Sequence, residues 1–462
     1  MVHLDRWSKT SILSPSCIFL PSYVEDVSAA VKALSAGNCQ FAIKSGGHNP
    51  TPGANDINDG VSIDLRYLNQ TTLAPDRSFV SLGAGGNWVN AYHAFANHGV
   101  GFPGGLCGTT GVGGVTIGGG QSPFSAKVGW AVDNVLNFQL VLADGKIVNA
   151  NATHNSDLFR AQKGGGSNFG VVTRIDMAAF DHSNQLWGGE IVVQATPATT
   201  QTALEATSNY TRQNNANVDA MLQTAFFYYS NGTAVIDFVL AATDNATNPE
   251  IFHPFTGMSP QMASTVSSRT LTSFVREIIP TQPRGYRNLW ATVTFKNNLA
   301  TLQTVQRITD HIYIEAGATV PDMDWILLYS PQPKAIDLHG LRNGGNVLGR
   351  QHTRDDQIVA CISPRWLDAA YDRDMYALAA KWVGMVTKAT RLLGTHEEFL
   401  YLNLAAQFQD PIRAYGEDNV RFIRHVAEKY DPAGVFQRLA PGGFKISRVG
   451  GFRPQTVPGR AV

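Results

Sequence analysis

Two nucleophilic side chains sit in small-residue turns: His48 in Lys44-Ser45-Gly46-Gly47-His48, and Cys107 in Gly105-Leu106-Cys107-Gly108-Thr109-Thr110-Gly111. Taken singly, neither is informative. A lone His in a turn is usually an ordinary polar residue, and a free Cys is usually an inert buried thiol. What raises their interest is the glycine around them, which falls into three clusters: Gly46-Gly47, the run from Gly101 to Gly120, and Gly164-Gly165-Gly166. Glycine lets a ligand approach the backbone closely, and its N–H groups then hold phosphate. The pattern G-x-x-x-x-G-K-[S/T] is absent, which argues against a nucleoside triphosphatase. A G-x-G-x-x-G test from Gly111 and Gly113 meets Thr116 where glycine is needed, so the dinucleotide fingerprint fails as well. Three separate segments are thus expected to make room for one large planar or anionic object.

The elements that must position these turns can be read from periodicity. An apolar run at 16–20 is followed by a helix from Val24 to about Ser35, with Val24, Val27, Val31 and Leu34 on one face and Ser22 and Glu25 at capping-box spacing. A strand at Phe41-Ala42-Ile43 then leads into the His48 turn, completing a strand, helix, strand unit. If its two strands are neighbours, Cys17 and Cys39 lie at similar heights, and a disulfide between them follows as a hypothesis. Further strands are expected at Val61 to Leu65, Phe79 to Leu82, Val135 to Leu142 and Lys146 to Asn149. Helical spacing runs from Trp88 to Phe95 and begins again at Asp157. After about Phe180 glycine thins out. Strands at Ile191 to Val193, Phe226 to Tyr229, Val235 to Leu240 and Trp290 to Phe295 then alternate with helices such as Ala370 to Val386, an α+β pattern and a candidate second domain. A last helix around Val420 to Ala427 stops at Pro432.

Bulk properties narrow the partners. At 462 residues two domains are expected, and 36 Lys plus Arg balance 36 Asp plus Glu, so no electrostatic footprint for nucleic acid or an anionic membrane is present. No apolar stretch is long enough to span a bilayer. The four cysteines show no C-x-x-C spacing, against a zinc or dithiol site. Sequons at Asn69, Asn151, Asn209, Asn231 and Asn245 mildly favour glycosylation.

Five segments carry a resemblance: KSGGH at 44–48, GLCGTTGVGGVTIGGG at 105–120, AVDNVLNFQLVLADGKIVNAN at 131–151, GGGSNFGVVT at 164–173 and KYDPAGVF at 429–436. Together and in this order they resemble the FAD-linked oxidases of the berberine-bridge-enzyme-like group, in a fungal-type form, within the vanillyl-alcohol-oxidase type of flavoprotein. The resemblance covers about 15–180 and 400–446, with GGNVLG at 344–349 as the expected anchor of the looser middle third. It implies an α+β fold: a two-part FAD-binding domain of the PCMH type, residues 1–185 and 401–462, with an inserted α+β substrate domain, 186–400, built on an antiparallel sheet. It also implies FAD attached twice, by His48 at the 8α-methyl carbon and by Cys107 at C6. Gly46 and Gly47 are expected at the pyrophosphate, Thr109, Gly111, Gly113 and Gly114 along the ribityl and phosphate region, and Asn168, Val171 and Val172 beside the adenine or the ring. Thr110 stands where the family has an oxygen-access residue.

The family's catalytic Tyr-x-Asn-Tyr context reads Tyr401-Leu402-Asn403-Leu404 here, and a Leu cannot take a proton. Tyr401 is the first candidate to replace the missing base, with His396, Glu397 and Glu398 nearby. A phenol with an ordinary pKa near 10 needs a cationic neighbour for that task. Three functions follow as expectations: an oxidase of a small, largely apolar natural product in secondary metabolism, an oxidase of sugars or oligosaccharides, or a flavin-containing cyclase without net redox turnover. The expected partners are that small molecule and O₂, with no nucleic acid or membrane, in a monomer of the secretory pathway.

Overall fold

The computed structural model describes residues 6–450. Three sheets position the site. The first is parallel, with Val61–Asp64 between Cys17–Phe19 and Phe41–Lys44. Lys44 lies in register with Asp64 and donates to its Oδ2 at 3.1 Å, and Arg66 donates to the same oxygen at 2.6 Å. This buried cluster fixes the end of the strand from which the His48 turn departs. The second sheet is antiparallel, ordered Thr71–Leu73, Phe79–Gly83, Val171–Ala178, Val135–Val141, Ile147–Asn151. The helix Val24–Ala36 packs Val27, Val31 and Leu34 into the core these two sheets share.

Two local expectations change. Because Val61–Asp64 is inserted between the strands that carry Cys17 and the approach to Cys39, those strands are not neighbours, and both thiols are free and exposed. The helix entry is held not by Ser22 and Glu25 but by Asp26, whose carboxylate accepts from the backbone N–H groups of Ser22 and Tyr23, each at 2.9 Å.

The third sheet is antiparallel with nine strands. Its main path runs Gln261–Ser264, Gln185–Gln194, Ala234–Ala242, Ala220–Tyr228, Trp325–Gln332, Gln357–Ile362, Ala291–Lys296, His396–Glu397. Side chains alternate along each strand, so every strand serves two environments. Leu222, Phe226, Ile236, Phe238, Leu240 and Leu327 face a second core built with the helices Pro197–Gln213, Leu299–Thr319 and Asp372–Leu392. Gln223, Ala225, Phe227, Asp237 and Leu328 carry the opposite parity and occupy the other face. Beyond that sheet, the Gln409 amide clamps the Thr292 backbone, accepting from its N–H at 3.0 Å and donating to its carbonyl at 2.7 Å.

The GGNVLG segment and its approach are tied to the glycine-rich half by hydrogen bonds. Val347 N–H donates to the Lys163 carbonyl, Lys163 Nζ donates to the Asn343 carbonyl, and Asn346 donates to Asp133 at 2.6 Å. Among the described residues no helix is long and apolar enough to cross a membrane.

Candidate flavin site

All three glycine clusters, the free face of the large sheet and the C-terminal segment line one cavity of about 300 Å³, within the range of small-molecule sites. His48 stands on its wall. Its turn is held by Ser45 Oγ donating to the Ala84 carbonyl at 2.6 Å, and by Trp7 N–H donating to the Gly47 carbonyl at 3.1 Å. Trp7 stacks on the imidazole with centroids 4.5 Å apart and planes 7° from parallel, and Trp290 packs beside both rings, 6.0 Å from the imidazole. Among the described residues, neither buried ring nitrogen has a hydrogen-bond partner. Burial pushes the imidazole pKa down to about 4, so at neutral pH the ring is uncharged and one nitrogen keeps its lone pair.

Cys107 lies on the same cavity wall, half-buried, with Sγ 3.4 Å from Thr109 Oγ1. Burial pushes its thiol pKa up, so the resting group is the thiol. Thr110 also lines the cavity, and its hydroxyl is occupied by the Cys107 carbonyl at 2.7 Å.

The glycines divide by what surrounds them. A Cβ on Gly46 would lie 2.4 Å from Gly111 N, and one on Gly111 would lie 2.2 Å from Gly46 N. These two glycines let the His48 and Cys107 loops touch backbone to backbone. Gly113 packs near the Ala84 carbonyl, at 3.0 Å from its would-be Cβ. Gly47 takes φ +68°, a conformation that favours glycine. Gly114 differs from Gly46, Gly111 and Gly113: a methyl group on its Cα would meet no heavy atom within 4 Å, so this position faces open cavity.

Of the other expected residues, Val171 and Val172 line the cavity and pair with the strand Val135–Val141. Thr109 and Asn168 are not on the wall. Thr109 touches the cysteine sulfur from behind. Asn168 is fully buried and ties the third glycine loop to the C-terminal segment: it donates to the carbonyls of Gly165 (2.7 Å) and Phe444 (2.9 Å), and accepts from Gln437 and from Ile446 N–H.

Tyr401 is on the wall, its ring 5.1 Å from Trp130. Its hydroxyl accepts from Gln121 N–H and from the Asn403 amide, both at 3.1 Å. Burial nevertheless pushes the phenol up to about 12, and no cation offsets it. The group is protonated at neutral pH, and the two N–H donors leave its own proton for an occupant of the cavity. Leu404 lines the cavity as an apolar surface. His396 and Glu398 lie 3.6 Å apart at the edge of the large sheet and, with Glu397, are not on the wall.

Several wall residues carried no sequence signal, among them Trp290, Asn55 and Phe444, and neither did Trp7 behind His48. Gln121 was marked only by following the third glycine of GGG. The residues present fit a flavin. Asn55 Oδ1, Gln121 Nε2 and both His48 nitrogens are buried polar atoms without partners on one largely apolar wall, as needed by a flat ring with polar edges.

Comparison with known proteins agrees with this geometry. Residues 15–151 match the profile of an FAD binding domain. The chain is 37% identical to the FAD-dependent monooxygenase drtC of Aspergillus calidoustus, over 96% of this chain and 85% of the relative. It is 33% identical to the FAD-dependent monooxygenase sdcF of Emericella nidulans, over 94% and 91%. Among solved structures, 6-hydroxy-D-nicotine oxidase of Arthrobacter nicotinovorans superposes with a TM-score of 0.78 at 20% identity, over 94% and 93% of the two chains. The glucooligosaccharide oxidase of Acremonium strictum, with its 6-S-cysteinyl, 8α-N1-histidyl FAD, superposes with a TM-score of 0.75 at 16% identity, over 93% and 92%. This chain belongs to the family of FAD-dependent oxidoreductases that includes the fungal relatives drtC and sdcF, and it has the fold of the berberine-bridge-enzyme-like FAD oxidases.

Proposed function

We propose that the chain is an oxidase that holds FAD by two bonds, from His48 and Cys107, and uses the flavin to take hydride from a small, largely apolar natural product and return the electrons to O₂ as H₂O₂. The observation that carries this reading is the pairing of a neutral imidazole, both of whose nitrogens lack partners, with a thiol on the wall of one cavity. The backbone contact of Gly46 with Gly111 sets the spacing of the loops that present them. Trp7 holds the imidazole flat. On the substrate side, Trp290 and Leu328 supply apolar surface, and Tyr401 offers a hydrogen bond to a substrate oxygen. Tyr401 is better suited to orient the substrate than to deprotonate it, because its pKa lies far above neutrality.

The sheet face over the cavity favours an apolar substrate over a sugar. Ala225, Phe227, Ile326 and Leu328 dominate it, whereas a sugar ring needs a row of polar partners. The names of the fungal relatives favour one second reading, insertion of a single oxygen atom into the substrate.

One experiment separates these. Substrate added without air should bleach the flavin absorbance, and air should then yield one H₂O₂ per substrate consumed. A product labelled from ¹⁸O₂ would replace the oxidase reading with oxygen insertion. Turnover with no bleaching would replace both with the cyclase.

A further inference from the structure

The face of the large sheet that looks toward the cavity carries two carboxyls that the proposed chemistry does not use. Register places them. Ala225 pairs with Leu328 on one side and with Asp237 on the other. Gln223 pairs with Val239, and Val239 with Glu190. Asp237 and Glu190 are therefore diagonal neighbours on one face, and Leu328 and Gln223 of the same rows line the cavity. Two strand spacings separate Leu328 from Asp237, about 10 Å. The short side chain of Ala225 lies between them.

The surroundings of the two carboxyls are apolar. Ala225, Phe227, Val235 and Ile326 form a small cluster apart from both main cores, bordered by Val192, Tyr229 and Leu328. Phe227 and Tyr229 stack at 6.2 Å. Within this surface Asp237 is only 5% exposed, and its Oδ1 has no hydrogen-bond partner. Glu190 Oε1 is also buried without a partner. Arg269, whose charge acts on Glu190, spends hydrogen bonds on the Thr265 carbonyl and an ion pair on Glu277. A buried carboxyl oxygen left unbonded is costly, and apolar packing alone gives no reason for it. Burial, reinforced by the nearby Glu190, raises the Asp237 pKa well above the usual carboxylate value, which favours the protonated acid as a donor.

We propose that Asp237, backed by Glu190, anchors a neutral oxygen substituent of a flat, apolar substrate that lies along this face with its reacting end in the cavity. The inference rests on reading the cavity as the flavin site, and it names the substrate class: a fused or extended apolar ring system with a hydroxyl or carbonyl oxygen at the Asp237 end, whose backbone stands two strand spacings, about 10 Å, from that of Leu328.

The test uses two probes of the same outline, 2-naphthol and 2-methylnaphthalene, in equilibrium dialysis against the purified holoprotein. The wild type should bind the naphthol at least ~10-fold more tightly, because a site built to bond a hydroxyl rejects the analogue without it. Asp237→Leu should bring the two affinities within about 2-fold by removing that bond, while Asp237→Asn, which keeps a donor and an acceptor, should retain a preference. Equal affinities or no naphthol binding in the wild type, or a preference that survives in Asp237→Leu, would overturn the proposal. The wild-type comparison stands even if a variant fails to fold. Visible absorbance of the same sample tests the flavin reading separately: a colourless protein sinks that reading, whereas loss of the naphthol preference in Asp237→Leu assigns it to Asp237 rather than to Tyr401.

Discussion

Gly111 and Gly114 lie three residues apart on the same glycine run, yet alanine at the two positions should act in opposite ways. At Gly111 the backbone is extended, φ −77° and ψ 140°, so alanine meets no conformational penalty. Its methyl group, however, would lie 2.2 Å from Gly46 N, 2.4 Å from Ser45 Oγ and 2.8 Å from Gly46 Cα. Ordinary contact needs about 3.5 Å, so the His48 and Cys107 loops must part by more than about 1 Å. Overpacking of this kind costs about 1–3 kcal/mol. For a unit of a few hundred residues, about 2 kcal/mol lowers Tm by about 4–8 °C. Parting the loops also changes the distance between His48 and Cys107, so flavin content should fall together with Tm. Gly114 lies inside the helix Val112–Ile117 with open space before it. Alanine there gains up to about 1 kcal/mol of helix preference, so Tm should hold or rise, while the methyl intrudes on the cavity and flavin content falls. Differential scanning fluorimetry and the ratio of visible to ultraviolet absorbance read both quantities on the same samples. A Gly111→Ala protein with wild-type Tm and flavin content, or a Gly114→Ala protein that loses Tm, would refute the division of the glycines into loop-packing and cavity-facing roles.

Two further outcomes follow from the same geometry. Asn168→Ala removes four side-chain hydrogen bonds, three of which join the third glycine loop to the C-terminal segment; it should lower stability by roughly 2–4 kcal/mol in denaturant unfolding, with loss of flavin only as a consequence of loosening, so added FAD should restore part of the absorbance. Lys445 is buried with its amine donating to the Ser167 carbonyl at 3.0 Å, and burial lowers its pKa to about 7 from the usual 10.5. Between those values the unfolded chain binds the extra proton, so this residue's contribution to stability rises with pH across that window, and its burial penalty is largest below pH 7. Replacing it with Met should therefore raise Tm relative to wild type more at pH 6 than at pH 9; an equal difference at both would mean that the amine stays charged in the folded protein.

Much of the site could be read from residue types and order, and what escaped was pairwise contact in three dimensions. The three glycine clusters do meet at one cavity, because each begins or ends a strand or helix whose period was visible. The reason for individual glycines was not visible. Gly46 and Gly111 are 65 positions apart in the chain, and only folding shows that each, besides lining the cavity, makes room for the other's backbone. Asn168 looked like a cofactor contact because it stands in a motif, but its hydrogen bonds turn inward to Phe444 and Ile446. The order of strands in the parallel sheet is equally hidden from local pattern. Cys17 and Cys39 looked adjacent until Val61–Asp64 proved to lie between their strands. Trp7 and Trp290, which form a three-ring cluster with His48, come from opposite ends of the first 290 residues and share no motif.

The central claim is that His48 and Cys107 hold one flavin between them, and intact-protein mass spectrometry after acid denaturation tests it directly. The account predicts a wild-type chain heavier by the mass of one FAD, retention of that mass in each of His48→Ala and Cys107→Ala through the surviving bond, and its loss in the double variant. Release of free FAD from the wild type on denaturation, or an adduct that persists in the double variant, would contradict it.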